Sequence, residues 1–318
     1  MSDSPSEQAR LSHNELRRQL IPNIGDAEGQ GMIPFPYVML LPLPGYTSPT
    51  ATADECGFRI SIKAGRRLKR DKLKAVAVSK GVFLGNGIAW GTGTSDDSKV
   101  VHNVLNDTRP SEVWYSVALR ATSMTQERIS AELFAPLDVT HAVWLSGIRM
   151  LHTSLYKVPH NAIMPFPGED RFMAAMGGPT YTIPDFSMEA RWAELMTLFE
   201  REMVLFSRAF RPPATNIIFA LQAGLGWCKK PLSPEERDMT AAAGADKGAS
   251  VIDPDAFTAY ILHFAKSAEK ICARHGVTFI NVAAQPEFLV PEWLFADGGH
   301  LTDAGHAALA RVIARHLK

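Results

Sequence analysis

Short apolar runs alternate with longer segments of helical periodicity along most of the chain. Five runs rich in β-branched or aromatic residues predict strands, at residues 81–84, 113–117, 141–145, 216–221 and 277–280. Alternating strand and helix signals are typical of a parallel sheet that is covered by helices on both faces. The pattern therefore predicts an α/β fold built around a five-stranded parallel sheet.

Three long helices have recognisable start or stop signals. Asp253 can cap a helix whose first residue is Pro254, and apolar residues then recur at helical spacing until Gly276 ends it. A second helix is predicted over about residues 187–210. The last helix is predicted to begin after Thr302 and has one apolar face.

Two regions have little of this periodicity. Residues 1–75 are predicted to form an N-terminal extension that wraps the core, and the Gly/Pro-rich stretch at about 159–186 is predicted to be an insertion. Residues 76–318 are predicted to form a single domain that carries this insertion.

Charge and composition exclude several partners. The 318 residues include 33 Lys and Arg and 33 Asp and Glu, so the formal net charge is zero, which argues against a nucleic acid or an anionic membrane as partner. The basic run 66–74 is not repeated and is expected to be a solvated connector. The Pro-rich run 32–44 is too broken to span a bilayer. The three cysteines are far apart and odd in number, so we expect reduced thiols and a cytoplasmic location.

Candidate chemistry is expected where the strands end. In a doubly wound sheet, ligands gather at the carboxyl ends of the strands. The segments that follow the predicted strands there are 85–98, 118–123, 146–152 and 295–306, and they are expected to surround one cleft.

The most informative of these segments contains Asp297 and His300. They lie three residues apart in a glycine-containing loop that leads into the capped last helix. One carboxylate can orient one imidazole in this arrangement, which is what a hydrolase needs to activate a nucleophile. Asp297 and His300 are therefore the predicted catalytic pair.

The chain resembles the SGNH/GDSL hydrolase superfamily over about residues 55–317. The resemblance rests on the order of the four segments, on the leader Glu55-Cys56-Gly57-Phe58-Arg59, and above all on the run Phe295-Ala296-Asp297-Gly298-Gly299-His300-Leu301-Thr302-Asp303-Ala304-Gly305. It implies a flavodoxin-like three-layer α/β/α sandwich.

The resemblance also implies site residues, and several of them are altered. The position of the serine nucleophile falls on Gly87, which follows Asn86, and the position of the oxyanion asparagine falls on Arg149. The glycine before that asparagine is retained as Gly147. The glycine of the second segment falls on either Ala118 or Ala121.

A missing serine has a large predicted effect. Removing the serine of a Ser-His-Asp unit leaves only roughly 10³- to 10⁴-fold catalysis over water, and losing one oxyanion donor costs roughly another 10²- to 10³-fold. Nearby hydroxyls do not occupy the turn directly after the strand, where a nucleophile would have to lie; they belong to Thr92, Ser95, Ser98 and Ser123. Ordinary serine esterase activity is therefore predicted to be absent.

Ligand binding is the predicted role of Asn86, Gly87, Gly147 and Arg149. A guanidinium has a permanent charge and several donors, so Arg149 suits a carboxylate or phosphate, and something acidic is expected to meet it. His152 and His160 have no third ligand at a sensible spacing, and the glycines of 85–93 lack the ending of a phosphate-binding loop. Neither a metal nor a cofactor is expected.

Two functions remain open from the sequence. In the first, the protein is a repurposed, non-hydrolytic pseudoenzyme that binds a small anionic ligand or a partner in the former active-site cleft. In the second, it is an enzyme without a serine nucleophile, in which Asp297 orients His300 as general base and Arg149 holds the substrate. The sequence favours the first only slightly, and it fixes neither the ligand nor the oligomeric state.

Overall fold

The centre of the molecule is a five-stranded parallel sheet. The computed structural model describes residues 12–21, 24–69, 79–120, 122–136, 138–155, 187–211, 216–245 and 254–317. The sheet strands are β5 (Ser79–Gly85), β6 (Glu112–Ser116), β7 (His141–Ser146), β8 (Asn216–Leu221) and β9 (Thr278–Asn281), in the spatial order β6-β5-β7-β8-β9. This is the flavodoxin-like order. The predicted fold class and all five predicted strands are confirmed.

Strand composition explains why the sheet lies in the middle. Every residue of β6, β7 and β8 is buried, as expected for parallel strands that are covered on both faces. Side chains alternate between the two faces. Trp144 and Phe219 belong to one hydrophobic core, and Val143 and Ile218, one position earlier in each strand, belong to the other.

Helices form a layer on each face of the sheet. The helices after β5 and β9 pack against each other on one face, and three helices pack on the other. The first layer consists of α4 (Val101–Thr108) and α10 (Asp303–His316); the second consists of α5 (Met124–Phe134), α7 (Met188–Phe210) and α9 (Pro254–Arg274). The other α-helices among the described residues beyond 79 are α3 (Gly87–Trp90), α6 (Ile148–Leu155) and α8 (Pro234–Ala245).

The predicted helix ends agree with the structure where it describes them. The hydroxyl of Thr302 accepts a hydrogen bond from Gly305 N at 3.2 Å and caps α10, and the hydroxyl of Ser187 caps α7 in the same way. Pro254 is the first residue of α9, but its predicted cap, Asp253, lies outside the described residues.

The N-terminal region has more regular structure than its sequence pattern predicts. Its described residues form two helices and two antiparallel hairpins, namely α1 (His13–Leu20), α2 (Ile24–Glu28), β1 (Met32–Phe35) with β2 (Met39–Pro42), and β3 (Ser61–Lys63) with β4 (Arg66–Leu68). The predicted boundary at residue 75 and the predicted insertion at 159–186 both lie outside the described residues.

A buried arginine ties this region to the sheet domain. Arg59 is fully buried, and its guanidinium bonds to the carboxylate of Asp97 and to Oγ1 of Thr94. It also lies over the ring of Trp90, with Cζ 4.7 Å from the ring centroid. The N-terminal region is therefore anchored to the segment that follows β5.

The described residues contain neither a membrane-spanning helix nor a cluster of metal-ligating side chains. Within the ranges given above, no helix is long and apolar enough to cross a membrane. Within the same part of the chain, no group of three or more His, Cys, Asp or Glu side chains is arranged to hold a metal ion.

Candidate functional site

The loop before α10 is folded around Asp297. Phe295 and Leu301 form an isolated antiparallel bridge, and Ala296 N donates to His300 O at 2.8 Å. Oδ1 of Asp297 accepts from the backbone N–H groups of Gly299 and His300 at 2.9 and 2.7 Å. Asp and Asn side chains commonly stabilise turns in this way.

Asp297 orients the imidazole of His300. Nδ1 of His300 lies 2.8 Å from Oδ2 of Asp297. Burial raises the pKa of this carboxyl, but the nearby His300 and the hydrogen bonds from the loop outweigh burial and hold the pKa well below its usual range. An ionised Asp297 keeps the proton on Nδ1, so the neutral imidazole presents the lone pair of Nε2. The structure thus brings together the predicted pair.

The free end of this imidazole faces Gly87. A Cβ atom built on Gly87 would lie 3.0 Å from Nε2 of His300 and 3.6 Å from Oγ1 of Thr92. Gly87 is the first residue of α3, directly after β5. The position at which the resemblance places a nucleophile is therefore next to the imidazole, but it has no side chain.

Asn86 takes part in the protein's own hydrogen bonding. Its Oδ1 accepts from Ile88 N at 3.3 Å and caps α3, while its Nδ2 donates to Oε1 of Gln222 at 2.9 Å. Gln222 directly follows β8, so this bond joins the ends of β5 and β8 at the site. Gln222 could not be predicted, because no local sequence pattern marks a contact with Asn86.

Gly147 is required by the backbone. Its φ is +112°, and a Cβ atom there would lie 2.6 Å from Cδ1 of Leu221. The resemblance places the glycine of the second segment at Ala118 or Ala121. Ala118 donates its N–H to Oγ of Ser116 at 3.1 Å, and Ala121 lies outside the described residues. Ala118 N–H is thus engaged within the protein.

Arg149 lies near a buried carboxyl. Burial lowers the pKa of Arg149, and the charge of Glu127 opposes this effect. Glu127 is itself fully buried and accepts a hydrogen bond from Nε1 of Trp144 at 2.7 Å. Burial raises the pKa of Glu127 to about 8. An acidic group was predicted to lie near Arg149. Glu127 is such a group, and the sequence pattern did not point to it.

Arg17 reaches the Asp297–His300 pair from the N-terminal region. Nη1 of Arg17 donates to Oδ2 of Asp297 at 2.9 Å, and this is the oxygen that also binds His300. Arg17 is on α1, which has a capping box formed by Ser12 and Glu15. That motif marks the start of a helix, but no sequence signal connects it with Asp297, 280 residues away.

Two histidines for which the sequence predicted no metal-binding role are not described by the structure. The side chain of His152 and all of His160 lie outside the described residues.

Comparisons with known proteins give structural similarity only. No family model and no curated protein sequence matches the chain. Similar solved structures include a catalytic mutant of an acetylxylan esterase from Geobacillus stearothermophilus (13% identity, 75% of this chain and 93% of that chain, TM-score 0.42). A lipase/acylhydrolase from Enterococcus faecalis (12%, 75% and 94%, TM-score 0.43) and an extracellular lipase from Streptomyces rimosus (12%, 76% and 100%, TM-score 0.43) are also similar.

The TM-scores of these structures are below 0.5, so the similarities carry no argument about the family or the activity of this chain. The strand order and the Asp297–His300 pair at the carboxyl edge of the sheet are observed in the chain itself.

Proposed function

We propose that this chain is a non-hydrolytic protein with an SGNH/GDSL-hydrolase-like fold that binds a small molecule in the cleft between Gly87 and His300. One observation carries the proposal. The residue whose Cβ would lie 3.0 Å from Nε2 of His300 is Gly87, which has no side chain. An acyl-enzyme needs a side-chain nucleophile at that point. The side chain of His300 is 32% exposed, so a ligand can reach it from solvent.

The ion pair of Arg17 with Asp297 supports a non-hydrolytic role. During acyl transfer the carboxylate stabilises the imidazolium that forms when histidine takes a proton. Here Oδ2 of Asp297 also accepts a hydrogen bond from a guanidinium. The oxygen that would have to stabilise an imidazolium during acyl transfer is therefore shared with a second cation.

We also propose that the ligand has a carboxylate or phosphate that contacts Arg149. The guanidinium is half-buried after the end of β7, and Gly147 before it lies at the same sheet edge as Asn86. Burial raises the pKa of the neighbouring Glu127 carboxyl to about 8, so it compensates the charge of Arg149 less fully than an ordinary carboxylate would.

A second candidate is an enzyme that needs no serine, and Thr92 favours it. Oγ1 of Thr92 lies 3.6 Å from the point where a Cβ of Gly87 would be, so a hydroxyl and an imidazole both border that space. A water or a substrate hydroxyl held there could lose its proton to Nε2 of His300. From the sequence, Thr92 was not expected to act as a nucleophile, because it does not lie in the turn directly after the strand.

Labelling with a fluorophosphonate tests the main proposal. This probe reacts with activated serine nucleophiles, so the native protein should remain unlabelled after prolonged incubation. Stoichiometric labelling of any single serine, located by peptide mass spectrometry, would show that the protein is a serine hydrolase after all.

Ligand capture separates the two candidates. The protein and its His300→Ala variant would be exposed to a metabolite extract, and retained compounds would be identified by mass spectrometry. A binding protein should release the captured compound unchanged. Chemical conversion by the native protein that is lost in His300→Ala would support the serine-independent enzyme instead.

A further inference from the structure

A cavity lies beside the candidate site, between α1 and the loop that leads into α10. Its volume is about 550 Å³, which is within the range of small-molecule sites. Its lining comprises Leu20, Ile21, Gly93, Ser95, Glu292, Trp293, Thr302, Asp303 and Ala304. Gly93 directly follows Thr92, and Thr302 comes two residues after His300, but neither Gly87 nor His300 lines the cavity. This is a separate space from the cleft.

The walls of the cavity are mainly apolar. Leu20, Ile21, Trp293 and Ala304 supply most of the side chains, and the polar groups between them are largely bonded to each other. Ser95 donates its N–H and its hydroxyl to Asp303 at 2.8 and 2.6 Å, and the hydroxyl of Thr302 donates to Trp293 O at 2.7 Å. An occupant would therefore bind mainly by burying apolar surface.

The charged side chains that line the cavity are acidic, while the last turn of α1 beside it contains Arg17 and Arg18. Glu292 and Asp303 are carboxylates, and none of the described lining residues has a positive charge. The first turn of α10 also borders the cavity, and a helix start attracts anions. Here that attraction is already met, since the carboxylate of Asp303 occupies the first position of the helix and Thr302 caps it.

Arg17 holds one wall of the cavity in place. Leu20 and Ile21 come from the end of α1, and Arg17 on that helix forms the ion pair with Asp297 at 2.9 Å. Both partners of this pair are largely buried, with side-chain exposures of 15% and 8%. The contact joins α1 to the loop before α10, and α1 also packs against α8.

We propose that this cavity is a second ligand site, for a small molecule with an apolar body and a positively charged head such as a substituted ammonium. The indole of Trp293 and the two carboxylates provide the cation–π and charge contacts that such a head needs, and the apolar walls hold the body. The charge preference is opposite to that proposed for Arg149, so the two sites are expected to bind different groups.

Calorimetry with three probes of similar shape tests the charge preference. The probes are benzyltrimethylammonium, benzyl alcohol and phenylacetate, titrated into the full-length protein at constant ionic strength. We expect the cation to bind about tenfold or more tightly than the alcohol, and phenylacetate to give no saturable binding. Tighter binding of phenylacetate, or no binding of either of the other two probes, would overturn the proposal.

Variants locate the binding. Ala304 is exposed on α10, so Ala304→Phe should fill the cavity without disturbing the core and abolish binding of the cation. Ala193→Phe, at an exposed position of α7 in the other helix layer, is the matched control and should bind normally. Unchanged affinity in Ala304→Phe would show that the probe binds elsewhere and would overturn the proposal.

Two further variants separate charge from shape. Glu292→Gln keeps the shape of the rim and should weaken binding of the cation severalfold while leaving benzyl alcohol unaffected. Arg17→Gln should weaken both probes, because it loosens the α1 wall, whereas the exposed neighbour Arg18→Gln should not. Equal effects of Arg17→Gln and Arg18→Gln would remove Arg17 from this site.

Discussion

His300 directs Nε2 of its imidazole at Gly87, and a Cβ atom on that glycine would lie 3.0 Å away. The Nδ1 side of the same ring is held by Asp297 at 2.8 Å. Asp297 and His300 are therefore arranged like two members of a Ser-His-Asp unit. Residue 87, where the serine of such a unit would be, is a glycine without a side chain, so the site differs from that unit by this one side chain.

Gly87→Ser should create a reactive serine. The backbone of Gly87 is not in the left-handed region, and His300 is partly exposed, so the imidazole can move by the few tenths of an ångström that a Cβ needs. The new hydroxyl would lie within reach of Nε2, which can take its proton. Incubation of Gly87→Ser with a fluorophosphonate should give labelling at residue 87.

A double variant tests whether His300 activates the new serine. Gly87→Ser combined with His300→Ala should label at least about 100-fold more slowly, since a general base contributes roughly 10²- to 10⁴-fold. Gly87→Ala adds the Cβ without the hydroxyl and should stay unlabelled. Equal labelling of Gly87→Ser with and without His300 would mean that the imidazole does not act on residue 87.

The sheet could be predicted from the sequence because its strands are continuous apolar runs. The prediction for β8, residues 216–221, coincides with the observed strand Asn216–Leu221. The Asp297–His300 pair could also be predicted, because both residues belong to one short loop whose geometry is local.

Contacts between distant polar residues could not be predicted. Arg17 and Asp297 are 280 residues apart, and Asn86 and Gln222 are 136 apart, so no local periodicity links either pair. The N-terminal hairpins were missed for another reason. Their strands have only three or four residues, which is too short for an alternating pattern to stand out.

Arg149→Ala should weaken binding of the captured ligand if that ligand has an anionic group. The expected loss is roughly 2 to 5 kcal/mol, as for breaking a buried, hydrogen-bonded charge pair. Arg149→Lys should recover only part of it, because a lysine cannot bind a carboxylate with two parallel hydrogen bonds. Calorimetry with the captured compound measures both variants. Unchanged affinity in Arg149→Ala would mean that Arg149 does not contact the ligand and interacts only within the protein, for example electrostatically with Glu127.

Glu127 should make stability depend on pH. Its pKa is raised from 4.5 to about 8, so the folded protein holds a proton in this window that the unfolded chain has lost. The stabilisation from this group is fully present below about pH 4.5 and is lost as the pH rises through about 8. Its slope within the window is at most about 1.4 kcal/mol per pH unit.

Glu127→Gln removes this titration and keeps the size of the side chain. Urea unfolding of both proteins across the window should show the variant gaining on the native protein as the pH rises. A difference in unfolding free energy that is the same at low and high pH would show that Glu127 titrates normally.

Arg59 should be needed for stability rather than for the site. It is buried, bonds to the carboxylate of Asp97 and to Oγ1 of Thr94, and lies over Trp90. Removing one partner of a buried charge pair typically costs about 3 to 5 kcal/mol, because the other charge is left uncompensated. Arg59→Met should lower the free energy of unfolding by roughly this amount, measured with urea.

Two comparisons test the reason for that loss. Arg59→Lys keeps the charge but has one ammonium in place of a planar fork, so it cannot serve Asp97, Thr94 and the ring of Trp90 together and should fall between the native protein and Arg59→Met. Arg66→Met removes an exposed arginine from β4 and should change stability by no more than about 0.5 kcal/mol. If Arg59→Met lowered the free energy of unfolding no more than Arg66→Met does, Arg59 would contribute little to stability. The N-terminal region would then be held to the sheet domain by apolar contacts such as those of Phe58.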